Sequence, residues 1–428
     1  MVRRLVNRRR FLRQSFMGAG LLMFGGTLYR CGGEENEAAQ GSGGTGGVGG
    51  VGGSGGAGGS GGAGGTGGAG GNGGTLVSNI GNVGPLGAPD ANGVRLPEGF
   101  TSRIVAQSGV ALPGRGHVWH SAPDGGAVFP TEDGGWIYVS NSEVSGFGGV
   151  SALVFSPSGE VTDAYAILTG TNRNCAGGPT PWGTWLSCEE VSNGQVWECD
   201  PLGVDSAIAR PAMGVFNHEA VAVDPLDDHL YLTEDQPDGL LYRFTPSSYP
   251  DLSGGTMEVL EVLDGVEGAT TWHPLPDPSG SSDATRYQVA EATTFNGGEG
   301  IWFHEGVVYF TTKGDNRVWA YETGTGNLTI LYDAATAPVA PLTGVDNVVV
   351  SPDGDVLVAE DGGDLEIVAI TPGGAVLPVM QLVGHDASEI TGPAFDPSLQ
   401  RLYFSSQRGT SGASSGGITF EIMGPFFI

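Results

Sequence analysis

The stretch HEAVAVDPLDDHLYLTED, from His218 to Asp235, reads as two short β-strands back to back. Ala220–Val223 and Leu230–Leu232 supply apolar, β-branched and aromatic residues, and the Pro and Asp residues between them form a turn. Charged residues stand at both outer ends, Glu219 at the start of one strand and Asp235 at the end of the other. The second run, DHLYLTED from Asp228, has five counterparts: GGWIYVSNSE from Gly134, GTWLSCEE from Gly183, GVVYFTTKGD from Gly306, GDVLVAEDGG from Gly354 and QRLYFSSQRG from Gln400. Each is a strand that ends in Ser, Thr or the pairs Ala-Glu and Ser-Cys, followed by polar or charged residues. Their starts lie about 45 to 50 residues apart, except for a gap of about 78 residues between the third and fourth. No helical periodicity runs between Arg95 and Ile428, so the expected fold is all-β: a six-bladed β-propeller with an insertion between the third and fourth blades, within Ser247 to Tyr287.

The preceding strands carry their own polar starts, at His218-Glu219, Gly298-Glu299, Asp346-Asn347 and Thr391-Gly392. If each lines a central channel and its partner returns antiparallel, the start of one and the end of the next share a face. Glu219, Glu299 and Asp346 are then expected around one mouth with Glu190, Asp235, Asp315 and Asp361. Glu recurs there also as Glu234 and Glu360, although it is a poor turn former. Like charges so close are unstable without cations, and calcium is the economical one. Asp224, Asp227, Asp353 and Asp396, at the opposite strand ends, are expected as turn residues. His218 is expected to orient Glu219 or to pack in the core.

Within TNRNCAGGPTPWGTWLSCEE, Thr171 to Glu190, a thiol and two adjacent carboxylates fall in one repeat. A site using Cys175 with Glu189 or Glu190 suits iron alongside calcium, because thiolate and carboxylate favour different ions. Cys188 and Cys199 flank a short hairpin and are a candidate disulfide, which would leave Cys175 unpaired.

The chain has 428 residues and a formal net charge of −29. Arg8, Arg9 and Arg10 precede an apolar run of about 14 residues, shorter than the roughly 20 of a spanning helix, and residues 1–31 are read as a twin-arginine-type signal peptide. Export by that route gives a periplasmic or cell-surface location. Cys31 is a candidate for lipid modification and hence a membrane tether. Residues 32–75, nearly all Gly from Gly41 to Gly74, read as a flexible linker with a reach of roughly 30 Å, and 76–428 as the propeller domain. Seven of the 18 basic residues lie in the leader, which leaves 11 against 47 acidic ones and argues against a nucleic-acid partner. The chain is expected as a monomer.

These residues together resemble the PhoX-type alkaline phosphatases, exported β-propeller enzymes that use iron and calcium. NCAGGPTPWGTWLSCEE carries the resemblance, and HEAVAVDP, LYLTED, LYRF and GVVYFTTKGDNRVW extend it over most of Gly99 to Arg408. The resemblance implies iron ligation by Cys175 and Glu190, and metal binding by Glu219, Glu299 and Asp346. It implies a phosphoester substrate, with a metal-bound oxide or hydroxide attacking phosphorus. In one respect the chain departs from the family: Gly297-Gly298-Glu299 stands where an Arg-Pro-Glu stretch is common, so the arginine that grips phosphate is missing. Arg173, Lys313, Arg317 and Arg408 are the candidate replacements, and Lys313 is the single lysine of the chain. A calcium-dependent lactonase and a non-catalytic calcium-binding propeller are the alternatives.

Overall fold

Six strands begin the repeats: Pro123–Pro130, Asn174–Pro179, His218–Asp224, Gly298–His304, Val345–Val350 and Ile390–Phe395. Each alternates small or β-branched residues and is buried on both faces for most of its length, because it lies between its own sheet and its neighbours'. Each packs against the next, and Ile390–Phe395 returns to Pro123–Pro130, so the six inner strands close a ring. The computed structural model describes residues 76–428; the proposed leader, Cys31 and the Gly-rich tract lie outside them.

Outward from each inner strand the chain meanders through antiparallel partners. Among the described residues these form five sheets: three of four strands, one of five and one of nine. The architecture is thus an all-β propeller arrangement, but not the six separate sheets expected. The nine-stranded sheet arises within the stretch expected as an insertion. There Asp251–Val262 and Gly268–Pro274 continue the third repeat's sheet, and Gly268 and Ala269 pair with Leu328 and Asn327 of the fourth. Pairing these outer strands satisfies backbone groups that two separate edges would leave open. The ring is locked by Thr101–Gln107, near the start of the described residues, which pairs with Ile418–Met423 in the last repeat's sheet.

Aromatic rings fill the space between sheets. Trp185, Tyr138, Tyr231, Phe310 and Phe404 are almost wholly buried, and Phe310 stacks on Trp319 at 5.9 Å. On the turn face, Asp224 and Asp396 accept backbone N–H bonds from their own turns, as their sequence context predicts. There too the chain enters the domain: Ser78 donates its backbone N–H to Asp353 and its hydroxyl to Asp355.

Candidate metal centre

All six inner strands slip register against their partners at the same place. The breaks fall between Pro123 and Gly126, Asn174 and Gly177, His218 and Val221, Gly298 and Ile301, Val345 and Val348, and Thr391 and Ala394. A β-bulge of this kind re-aims a side chain out of the regular pleat. The first residue inside each bulge is Asp124, Cys175, Glu219, Glu299, Asp346 or Gly392, five potential donors and one glycine. A bulge also frees carbonyls from the ladder. The small polar residues of the repeated pattern take them up: Asn141 donates to the carbonyls of Cys175 and Ala176, Thr233 to that of Glu299 and Thr311 to that of Asp346. Asn141 is itself fixed by Trp185 Nε1 at 2.9 Å. The pattern that identified the repeats is therefore the support of the site.

The bulges bring together three overlapping donor groups, each with ligand atoms within 4.8 Å of one another: Asp124, Glu143 and Cys175; Cys175, Glu190 and Glu219; and Glu219, Glu299 and Asp346. Glu219 is 1% exposed, and neither of its carboxylate oxygens has a hydrogen-bond partner. Leaving a buried carboxylate bare costs several kcal/mol. Glu219 is held well above the usual carboxylate range by burial first and then by Glu299, Glu190, Asp346 and Asp124. Burial does the same for Glu299, while Glu190 rises to about 8 and Asp346 to about 7. The Cys175 thiol is pushed up by burial and the surrounding acids. Orphaned oxygens, raised acids and a half-buried thiol suit cations, which would discharge all of them at once.

Strand alternation sorts the acidic pairs that follow the second strands. In Glu189-Glu190, Glu234-Asp235 and Glu360-Asp361 the second residue faces the other acids and the first turns away. Glu189 accepts backbone N–H bonds from Asn172 and Gln195, and Glu360 from Thr343 and Glu366. Glu234 takes Tyr242 and Arg286. Glu189 is thus a turn-fixing residue rather than a donor, a correction to the sequence reading that extends to Glu234 and Glu360. Asp315 pairs with Arg317 at 2.9 Å, and Arg317 with Asp333 at 3.0 Å; neither belongs to the three donor groups. His218 is a core residue, its Nε2 donating to Gly214 O at 3.0 Å. Cys188 and Cys199 are free: Cys188 lies opposite Val196 and Cys199 opposite Trp185, out of register for a bond.

Three acids escaped the sequence reading. Asp124 and Glu143 share the Gln407 side-chain amide at 2.6 and 2.8 Å, and Glu389 pairs with Arg408 at 3.1 Å. Signals existed for two of them. Glu143 closes the first repeat, GGWIYVSNSE, and Asp124 stands second in its inner strand as Glu219 does in another.

Basic side chains are interleaved with the acids. Arg173 reaches Glu143 at 2.6 Å and Glu190 at 2.5 Å, Lys313 reaches Asp235 at 2.9 Å and Glu299 at 2.5 Å, and Arg408 lies 3.6 Å from Asp361. Burial disfavours the Lys313 charge, but Glu299 and Asp235 outweigh it and hold the amine well above its ordinary range.

The family model described as "Alkaline phosphatase PhoX" matches residues 143–199 and 191–328. The resemblance to the PhoX family is borne out. The first segment covers Cys175, Cys188 and Glu190, and the second covers Glu219, Glu299 and Lys313. A solved structure of Pseudomonas fluorescens PhoX in complex with vanadate, a transition state analogue, superimposes with a TM-score of 0.67 at 16% identity, covering 80% of this chain and 97% of that one. At that identity the likeness shows the fold alone. A protein of unknown function from Bacteroides thetaiotaomicron (TM-score 0.48, 9% identity, 76% of each chain) and a Xanthomonas campestris gluconolactonase (TM-score 0.43, 15% identity, 80% of this chain and 98% of that one) are too distant to argue from. No curated protein matches.

Proposed function

We propose that the chain is a metal-dependent phosphoester hydrolase of the PhoX type. One observation carries the reading: Cys175 converges with the buried Glu190 and Glu219, and the Glu219 carboxylate has no hydrogen-bond partner. Cys175 and Glu190 suit iron, and Glu219, Glu299 and Asp346 suit calcium. The bound ions would supply Lewis-acid polarisation of phosphate oxygens and an activated water. The protein's part is to hold the donors on bulges that cannot rotate, and to present cationic N–H groups at the rim. Arg173, Lys313 and Arg408 stand there, each fastened by carboxylates with donors left over for a phosphate oxygen. Arg317 is spent on Asp315 and Asp333 and is dropped from that role.

We read the nine-stranded sheet as two blades joined at their outer strands, which makes six blades. We also assign the protein to the periplasm or cell surface on the strength of its leader. A lactonase reading leaves Cys175 without a use. Turnover of an aryl phosphate by protein isolated with its metals tests the proposal. Cys175→Ala and Glu219→Gln should each abolish turnover and lower the iron and calcium content; activity that survives both changes refutes it, and a metal-loaded protein inert toward phosphoesters indicates a binding propeller.

A further inference from the structure

Glu219 is bare, but the adjoining position between Asp235 and Glu299 is already filled. Lys313 Nζ sits 2.9 Å from Asp235 and 2.5 Å from Glu299, on carboxylates contributed by two different repeats. A calcium ion would take oxygens at about 2.3–2.6 Å, so ammonium and metal compete for one space. The lysine is also built in from behind. Its backbone N–H donates to Gly297 O at 2.9 Å, Gly314 N–H to Asn296 O at 2.9 Å, and Gly297 N–H to Gln236 O at 2.8 Å, beside Asp235. Gly297 has φ +71°, and a Cβ there would stand 3.2 Å from Lys313 Cγ, so a side chain at 297 would be strained and would crowd the lysine stem.

We propose that Lys313 is a resident cation of the ring, holding between Asp235 and Glu299 a place that a metal ion would otherwise take. The inference rests on the reading of the ring as a metal centre, and it sets the metal content of this chain. Asp124, Glu143, Glu190, Glu219, Asp235, Glu299, Asp346, Asp361 and Glu389 are nine carboxylates, and Arg173, Lys313 and Arg408 are three cations. With all nine ionised the carboxylates exceed the cations by six charges, and a Cys175 thiolate would add one more, so the ring calls for several divalent ions. Removing Lys313 adds a further negative charge and opens the place between Asp235 and Glu299 to another ion.

Elemental analysis of metal per folded chain tests this, with calcium supplied and the unbound ion removed. Lys313→Met keeps the length of the side chain and removes its charge, and it should bind one more divalent ion than the wild type; Lys313→Arg should match the wild type. Equal content in the wild type and Lys313→Met overturns the inference. A wild type without any metal refutes the hydrolase reading instead, and the difference between the two proteins still decides the role of Lys313. Because the chain has one lysine, wild-type protein labelled with 15N-lysine gives a single ammonium resonance, which needs no variant to fold. That resonance should keep its paired position on calcium loading, and a shift to that of a free, solvated lysine overturns the proposal.

Discussion

Glu219→Gln should stabilise the metal-free protein at alkaline pH, although it damages the site. Glu219 lies within 4.8 Å of Glu190 in one donor group and of Glu299 and Asp346 in another. Two unit charges at that separation repel by about 3.5 kcal/mol at an effective dielectric constant near 20. The group escapes part of this by holding a proton. The ceiling is therefore the free energy of keeping one carboxyl protonated at pH 8, about 5 kcal/mol for an ordinary pKa of 4.5. Removing the charge should then raise stability by about 2–5 kcal/mol, or roughly 3–7 °C in Tm for a domain of this size. At pH 5 the same ceiling falls below about 1 kcal/mol, so the gain should nearly vanish. Saturating calcium should reverse the sign, because the wild type then gains binding free energy that the variant lacks. Thermal and urea unfolding followed by tryptophan fluorescence, in chelator at pH 8 and pH 5 and again in calcium, gives all three comparisons. A variant less stable than wild type in chelator at pH 8, or one whose gain is the same at pH 5, refutes the electrostatic account of the ring.

The metal-free wild type should itself lose stability as pH rises. Glu190 at about 8 and Asp346 and Glu360 at about 7 all bind protons more tightly folded than unfolded, so their contribution is complete below about pH 4 and is lost as pH climbs through 7 to 8; a Tm in chelator that rises over that interval contradicts this. Thr311→Val keeps the shape of a wholly buried side chain but strips Asp346 O of its hydroxyl donor, and should cost about 1–3 kcal/mol of stability, with Thr311→Ser close to wild type. Equal urea midpoints for Val and Thr at 311 would show that the bulge does not depend on that bond.

The repeats were legible because each second strand combines apolar runs with a small polar end, and the sharing of one mouth by Glu190, Glu219, Glu299 and Asp346 followed from antiparallel pairing alone. Which member of an acidic pair faces inward was not legible. It depends on alternation from a strand end that sequence locates only to within a residue or two. Glu189 and Glu190 look alike as letters, yet one closes a turn and the other meets Cys175. The bulges were hidden for a related reason: one extra residue in the inner strand leaves the run of apolar residues unchanged while turning Asp124 and Cys175 toward the channel. The joined nine-stranded sheet rests on contacts between outer strands far apart in sequence, and a gap of about 78 residues reads equally well as an excursion or as more sheet.

Ser78, bonded to Asp353 and Asp355, fixes where the domain can be held. Those aspartates lie one strand length, roughly 20 Å, from Asp346 and the other acids at the channel mouth. Anything that tethers the chain upstream of Leu76 therefore grips the propeller by its rear. The entering segment thus lies on the face opposite the donor carboxylates, and residues 76–78 leave the channel mouth uncovered.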